Sequence, residues 1–209
     1  MKIDLHLHTA NSGDAYGTPE EVLAAAVEAG LDGIAVTEHG NYDQSEIFLA
    51  LAHRFKLAVF VGAEVATTSG HLLVFSTEIR SWNRFSGDEN DARELIAQVN
   101  QAGGAVVAAH PYRIGPGCGG AAKLSGLAAI EALNGANRPQ ENQMALALAR
   151  KLGLPCTGGS DAHFTDEIGR CYTVFTVPIR TVTELVAALK AGHCRPAAAS
   201  KPGVSSRCF

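Results

Sequence analysis

The chain has 209 residues, 46% of them hydrophobic, which is enough for one compact domain with its own apolar core. Its 17 Lys and Arg against 21 Asp and Glu give a formal net charge of −4, so the sequence carries no basic field of the kind that wraps nucleic acid. The five cysteines are widely spaced and form no C-x-x-C pair, which argues against a disulfide framework or a thiolate zinc site. No run reaches the ~20 apolar residues of a membrane-spanning helix, and no leader-like segment precedes the first strand pattern, so we expect a cytoplasmic protein.

Short β-rich runs alternate with helical patterns along the chain, which is typical of βα units. The predicted strands are residues 3–8, 33–37, 58–65, 71–76, 105–109, 129–133 and 155–159, with 173–177 as a candidate eighth. Thr18, Pro19 and Glu21 form a strong start signal for the first helix, which ends at Gly30. Later helices are predicted at residues 45–55, 89–101, 139–151 and 182–191. The strand count favours a single closed or nearly closed barrel domain over residues 1–209, with 196–209 as a loosely ordered tail.

Histidines and acids occur where the predicted strands end. In a βα barrel, side chains at the carboxyl ends of the strands converge on one face, where active sites of this architecture lie. His6 and His8 are two residues apart on one strand, so their side chains point to the same face. Imidazoles and carboxylates together suit Zn²⁺, Mn²⁺ or Fe²⁺. The residues at such positions are His6, His8, His39, Glu64, His71, His110, Asp161 and His163.

Six of these positions belong to four short motifs that follow one another in a fixed order. They are Asp4-Leu5-His6-Leu7-His8-Thr9, Thr37-Glu38-His39, Ala109-His110-Pro111 and Gly159-Ser160-Asp161-Ala162-His163. In this order they resemble the motifs of the PHP (polymerase and histidinol phosphatase) superfamily, over almost the whole chain. The resemblance implies an α/β fold, a distorted (β/α)7 TIM-like barrel, with a di- or trinuclear metal centre and phosphoesterase activity.

The same resemblance implies a ligand set for each ion. One ion would be held by His6, His8, Glu64 and Asp161, a second by Glu64, His71 and His110, and a third by His39 and His163. In the family, the remaining ligand of the third ion is an aspartate in a Ser-Asp-Gly run. This chain reads Ser12-Gly13-Asp14 instead, so Asp14 stands displaced by one position. Glu38 stands where the family commonly has aspartate, and we interpret it either as an acid that supports the ligands or as one that transfers protons.

Two neighbouring ions can share a hydroxide that attacks phosphorus, and no serine, threonine or cysteine motif calls for a covalent route. A phosphoryl group also needs fixed positive charge, for which Arg113, in the loop after His110, is the first candidate. Arg138 and Arg170 are the second candidates for substrate binding. We therefore expect catalysis to depend on Arg113, Glu64 and His163.

The predicted function is hydrolysis of a small-molecule phosphomonoester or phosphodiester with two or three Mn²⁺, Zn²⁺ or Fe²⁺ ions. An exonuclease-type or oligonucleotide-processing hydrolase is an alternative, although the acidic balance argues against a nucleic-acid partner. A deacylase or amidase could use the same metal centre. The alternative outside catalysis is a metal-bound module with a structural or regulatory role.

Overall fold

The computed structural model describes residues 1–40, 46–87, 89–115 and 117–199. Within them, ten strands form two five-stranded sheets, in the orders β10-β9-β1-β2-β3 and β4-β5-β6-β7-β8. The strands are β1 Lys2–Leu7, β2 Gly33–Val36, β3 Ala58–Val61, β4 Ala63–Thr67, β5 Gly70–Phe75, β6 Ala105–Ala108, β7 Ala129–Asn134, β8 Cys156–Gly159, β9 Cys171–Phe175 and β10 Cys194–Ala198.

In the described part of the chain, five α-helices connect the strands, and their ends carry local signals. They are α1 Pro19–Glu28, α2 Glu46–Phe55, α3 Ala92–Gln101, α4 Pro139–Leu152 and α5 Val182–Ala191. The backbone N–H of Glu21 donates to the Thr18 hydroxyl, and the Glu21 carboxylate accepts from the Thr18 backbone, so the predicted capping box forms at α1. Gly153 and Gly192 end α4 and α5 in the left-handed conformation that favours glycine. Residue 45, predicted as the start of α2, lies outside the described residues.

The α/β class is confirmed, but the predicted closed (β/α)7 barrel is not. Strands β1, β2 and β3 are parallel, as are β6, β7 and β8, whereas β4, β5 and β6 pair antiparallel, and so do β1, β9 and β10. Two isolated bridges, Leu7 with Ala162 and His39 with Glu64, link one sheet to the other. Hydrogen bonding therefore gives two sheets that meet at these bridges instead of one closed sheet.

Two strands differ from the sequence-based expectation. The predicted strand 58–65 divides into β3 and β4 at Gly62, where a Cβ atom would lie 2.9 Å from the Phe75 ring and 3.0 Å from the Thr37 side chain. This close approach lets the chain pass from one sheet to the other. Strand β10 extends to Ala198, into the segment predicted as a loose tail, and residues 200–209 lie outside the described part of the chain.

The apolar core explains how β1 presents its histidines. All residues of β1 after Lys2 are buried. Side chains alternate along a strand, so Ile3, Leu5 and Leu7 enter the apolar clusters while the alternate positions face the other way. Those alternate positions carry Asp4, His6 and, directly after the strand, His8.

Candidate metal centre

Four side chains from three parts of the chain meet in a buried cluster. His6 lies on β1 and His8 directly after it, Glu64 lies on β4, and Asp161 lies in the segment after β8. The two Nε2 atoms of the histidines lie 3.2 Å apart. Oε2 of Glu64 lies 3.3 Å from His6 Nε2 and 3.2 Å from His8 Nε2. Oδ1 of Asp161 lies 3.4 Å from His6 Nε2 and 3.3 Å from His8 Nε2.

These spacings fit a cation. Ligands of a tetrahedral ion bound at about 2.0–2.1 Å lie about 3.3–3.4 Å from one another. Nδ1 of His6 lies 3.0 Å from the Glu131 carboxylate, so in the neutral tautomer that donates there the Nε2 lone pair points at the cluster. Imidazole lone pairs and carboxylate oxygens are then directed at one buried point, an arrangement that a bound cation stabilises.

A second group shares Glu64. Its Oε1 atom lies 2.9 Å from His71 Nδ1 and 2.9 Å from His110 Nε2, while Oε2 faces the first group. The two oxygens of one buried carboxylate thus face two different sets of imidazoles. This is the geometry expected of a carboxylate that bridges two ions.

A third group surrounds the outer histidines. His8, His39 and His163 each place a ring nitrogen within 4.8 Å of the others. Oδ2 of Asp14 lies 3.5 Å from His163 Nε2 and 3.7 Å from His39 Nε2. Gly13, with a φ of 84°, turns the chain after a short 3-10 helix and brings Asp14 to these rings. The structure therefore places Asp14 beside the third group despite its displacement in the sequence.

Two site residues have a backbone conformation that is rare outside glycine. The φ angle is 23° for His110 and 54° for Asp161. Each lies two residues beyond the end of a strand, where the positive φ turns the side chain toward the cluster. Backbone strain of this kind is concentrated at functional sites because the surrounding structure must hold it.

Burial and charge act against each other on the titrating groups. Burial opposes the charge on His8, but hydrogen bonds to Asp161 and Glu64 outweigh it and raise the pKa of the imidazole to about 9. Burial also opposes ionisation of Glu64, yet the nearby His6 charge and the hydrogen bonds from the histidines hold its pKa well below the usual range. Burial lowers the pKa of His39 to about 4 against the attraction of Glu64. The cluster as a whole attracts positive charge.

Two buried acids support the cluster and were not predicted from the sequence. Glu131 on β7 accepts from His6 Nδ1 at 3.0 Å and from the backbone N–H of His110 at 2.8 Å. Asp4 accepts from the N–H groups of Ser160 and Gly169 at 2.8 and 3.0 Å, and burial raises its pKa to about 6. For Glu131 the available signal was a carboxylate among the apolar residues of β7.

Glu38 lies next to the site but outside the three groups. Its carboxylate accepts from the Thr9 backbone at 3.1 Å, from the Thr9 hydroxyl, and from the Ser12 hydroxyl at 2.5 Å. These contacts fix the segment between His8 and Asp14. Both interpretations of Glu38, as a supporting acid and as an acid that transfers protons, stay predictions.

The three predicted substrate-binding arginines lie in different surroundings. Arg113 places Nη2 2.6 Å from Oδ2 of Asp161, at the edge of the cluster. Arg138 is exposed at the start of α4. The guanidinium of Arg170 donates to Glu167 at 2.9 Å and to Asp166 at 3.3 Å. Within the described residues, Arg113 is the arginine of these three that contacts the metal cluster.

Family models match two parts of this chain. A family model described as PHP domain matches residues 4–112, and one described as PHP-associated matches residues 139–194. The chain belongs to the PHP domain family. The match to the PHP domain includes seven of the nine predicted metal ligands, namely His6, His8, Asp14, His39, Glu64, His71 and His110.

The curated relatives match parts of the chain. An uncharacterized protein of Methanocaldococcus jannaschii is 28% identical over 122 residues, which are 54% of this chain and 68% of that protein. A probable phosphatase of Syntrophotalea carbinolica is 35% identical over 71 residues, 30% of each protein. A probable histidinol-phosphatase of Deinococcus radiodurans is 53% identical over 36 residues, 17% of this chain and 14% of that protein. The two named phosphatases are thus matched over less than a third of their own length.

Solved structures share the fold over most of the chain. PsfC from Pseudomonas syringae superposes with a TM-score of 0.75 at 23% identity, covering 96% of this chain and 92% of that one. A two-domain protein of Bacteroides vulgatus, described as containing a predicted PHP-like metal-dependent phosphoesterase, gives 0.73 at 18% identity and covers 94% and 64%. Endonuclease Q in complex with a 27-mer duplex gives 0.68 at 16% identity and covers 93% and 57%.

Among the described residues, no helix is long and apolar enough to cross a membrane.

Proposed function

We propose that this PHP protein is a metal-dependent phosphoesterase that hydrolyses a small phosphomonoester or phosphodiester. The observation that carries the proposal is the sharing of ligands: the Glu64 carboxylate joins the first and second groups through its two oxygens, and His8 belongs to the first and third groups. Neighbouring ion sites with a shared carboxylate are the usual apparatus of phosphoryl-transfer hydrolases. The named phosphatases among the relatives support the same reaction class.

The proposed ion sites follow the three groups. The first ion would be held by His6, His8, Glu64 and Asp161, the second by Glu64, His71 and His110, and the third by His39, His163 and Asp14, with His8 beside it. Imidazole with carboxylate suits Mn²⁺, Zn²⁺ or Fe²⁺. When bound, such ions lower the pKa of water to supply the nucleophile and neutralise charge on the phosphoryl oxygens.

The chain's own residues contribute orientation and charge. Glu131 fixes the His6 tautomer, so that Nε2 remains an acceptor directed at the first site. Arg113 places a permanent positive charge beside Asp161, where a non-bridging phosphate oxygen could accept from its fork. His163 Nδ1 lies 3.0 Å from the Asp161 carbonyl oxygen; donation there leaves Nε2, on a partly exposed ring, as an acceptor for a metal or a proton.

A screen with metal added back tests the proposal. The protein is stripped with a chelator, reloaded with Mn²⁺, Zn²⁺ or Fe²⁺, and assayed against phosphomonoesters, phosphodiesters, a single-stranded oligonucleotide and carboxylic esters. We expect metal-dependent release of phosphate or alcohol from small phosphate esters, lost in Glu64→Gln and retained in Glu78→Gln, whose side chain is exposed away from the site. Preferred cleavage of the oligonucleotide would select the nuclease alternative, and hydrolysis of carboxylic esters alone would reject phosphoester specificity.

A further inference from the structure

One buried amide contacts both the metal cluster and the arginine beside it. Asn134 closes β7 and is 1% exposed. Its Nδ2 donates to Oε2 of Glu131 at 2.9 Å and to Oδ2 of Asp161 at 3.2 Å. Its Oδ1 accepts from Nη2 of Arg113 at 2.8 Å. The orientation of the amide is determined by these partners, since carboxylates require the NH₂ end and a guanidinium requires the oxygen.

The two carboxylates that Asn134 contacts both act on the first ion site. Asp161 contributes a ligand oxygen through Oδ1, leaving Oδ2 for Asn134 and Arg113. Glu131 accepts from His6 Nδ1 and from the His110 backbone. Asn134 therefore orients the ligand Asp161 directly and the ligand His6 through Glu131. Outer contacts of this kind set the orientation and basicity of metal ligands.

The arginine is held by a second amide as well. Nε of Arg113 donates to Oδ1 of Asn137 at 3.0 Å. Asn137 in turn donates from Nδ2 to Oδ1 of Asn142 at 3.0 Å, and the same oxygen accepts from the Asn134 backbone at 3.1 Å. Asn142 lies in the first turns of α4 and so ties the loop to that helix. The guanidinium is thus held by one oxygen at the end of β7 and by one in the loop between β7 and α4.

We propose that Asn134 is a positioning residue that couples metal binding to phosphate binding. Through Nδ2 it keeps Asp161 and Glu131 in the orientation that the first ion needs, and through Oδ1 it directs Arg113 to the phosphate. Asn137 orients Arg113 and does not act on the two carboxylates. The phosphate half of this inference rests on the proposed function, whereas the metal half depends only on the cluster.

Four variants separate the two halves: Asn134→Ala, Asn137→Ala, Arg113→Ala and the Asn134→Ala/Arg113→Ala double variant. The affinity of the stripped protein for Zn²⁺ is measured by chelator competition, and the binding of inorganic phosphate to protein of verified metal occupancy by calorimetry. We expect Asn134→Ala to weaken Zn²⁺ binding about 10- to 100-fold. Arg113→Ala and Asn137→Ala should not weaken it, because the first removes a positive charge next to Asp161 and the second does not touch the carboxylates.

Phosphate binding gives a different pattern. Asn134→Ala and Arg113→Ala should each weaken it about tenfold, the scale of losing one hydrogen bond to a charged group. The double variant should be no weaker than Arg113→Ala, because Asn134 acts on phosphate through the arginine. Asn137→Ala should weaken phosphate binding alone.

Two results would overturn the inference: wild-type Zn²⁺ affinity in Asn134→Ala, or losses of phosphate affinity that multiply in the double variant. Asn134→Ser is measured alongside, because its shorter hydroxyl side chain loses the same three contacts while leaving a smaller space in the core. Neither readout requires turnover. Wild-type protein that binds phosphate but hydrolyses no ester would reject the proposed function and leave the role of Asn134 standing.

Discussion

At the scale of single residues, a ligand depends on the group behind it. Glu131 is 1% exposed and accepts from the ring of His6 and the backbone of His110. We expect Glu131→Gln to lower the affinity for Zn²⁺ or Mn²⁺ about 10- to 100-fold. The uncharged amide would make the Nε2 lone pair of His6 less basic and therefore a weaker ligand of the ion. Chelator competition measures this, with Glu78→Gln as the exposed control. Equal affinities would show that Glu131 serves packing alone.

The second prediction at this scale concerns Arg113. Its guanidinium is fixed beside Asp161, so Arg113→Ala should keep the metal content and lower kcat/KM for phosphate esters by roughly 10²-fold. Arg113→Lys should recover only part of the loss, since an ammonium cannot reproduce the planar fork. Steady-state kinetics with metal analysis tests this against Arg195→Ala, an exposed arginine on β10. Unchanged kinetics at full occupancy would make Arg113 a surface charge.

At the scale of elements, helix ends could be predicted and strand pairing could not. The start of α1 is set by Thr18, Pro19 and Glu21, which are neighbours in sequence, and the capping box forms as expected. The antiparallel pairings and the division at Gly62 depend on contacts with distant segments, which a local pattern does not contain. The site residues also divide into those with a local signal and those that depend on distant contacts. Spaced histidines indicate ligands, whereas the role of Glu131 depends on a ring 125 residues away.

The capping box itself gives a prediction for α1. Thr18→Ala removes the hydroxyl that accepts from the Glu21 backbone, and should lower the free energy of unfolding by about 1 kcal/mol. Thr181→Ala, which removes the equivalent box at α5, is the matched comparison. Urea unfolding of both variants measures the loss. An unchanged midpoint in Thr18→Ala would mean that water replaces the cap without cost.

At the scale of the whole molecule, the core and the metal cluster are separate sources of stability. Among the residues that the structure describes, three apolar clusters are buried, and none of the three contains a proposed ligand. Chelation should therefore leave the far-ultraviolet circular dichroism unchanged at 25 °C and lower Tm, since an ion that binds only the folded state stabilises it by mass action. Loss of the helical signal on chelation would contradict this prediction.

The metal-free protein should also respond to pH in a defined direction. The folded-state pKa of His8 is raised from 6.5 to about 9, so the folded state binds protons more tightly than the unfolded chain. The resulting stabilisation is complete below about pH 6.5 and is lost as the pH rises through 9. The pKa values of His6 and His71 are raised as well and act in the same direction. Urea midpoints of stripped protein should fall from pH 6.5 to 9, more steeply than those of loaded protein; a flat profile would refute the assignment.

The two isolated bridges have a consequence for how the molecule opens. They join the sheets at Leu7 with Ala162 and at His39 with Glu64, and the amides of Asp161 and Glu64 donate across the same join, to His6 and Glu38. The proposed ligands of the first and third ions come from both sides of it, so these two ions would link the sheets, whereas the ligands of the second ion all come from the β4–β8 sheet. Hydrogen–deuterium exchange at these two amides should then slow on metal loading far more than exchange within β7. Bound ions would therefore lower the frequency with which the two sheets separate.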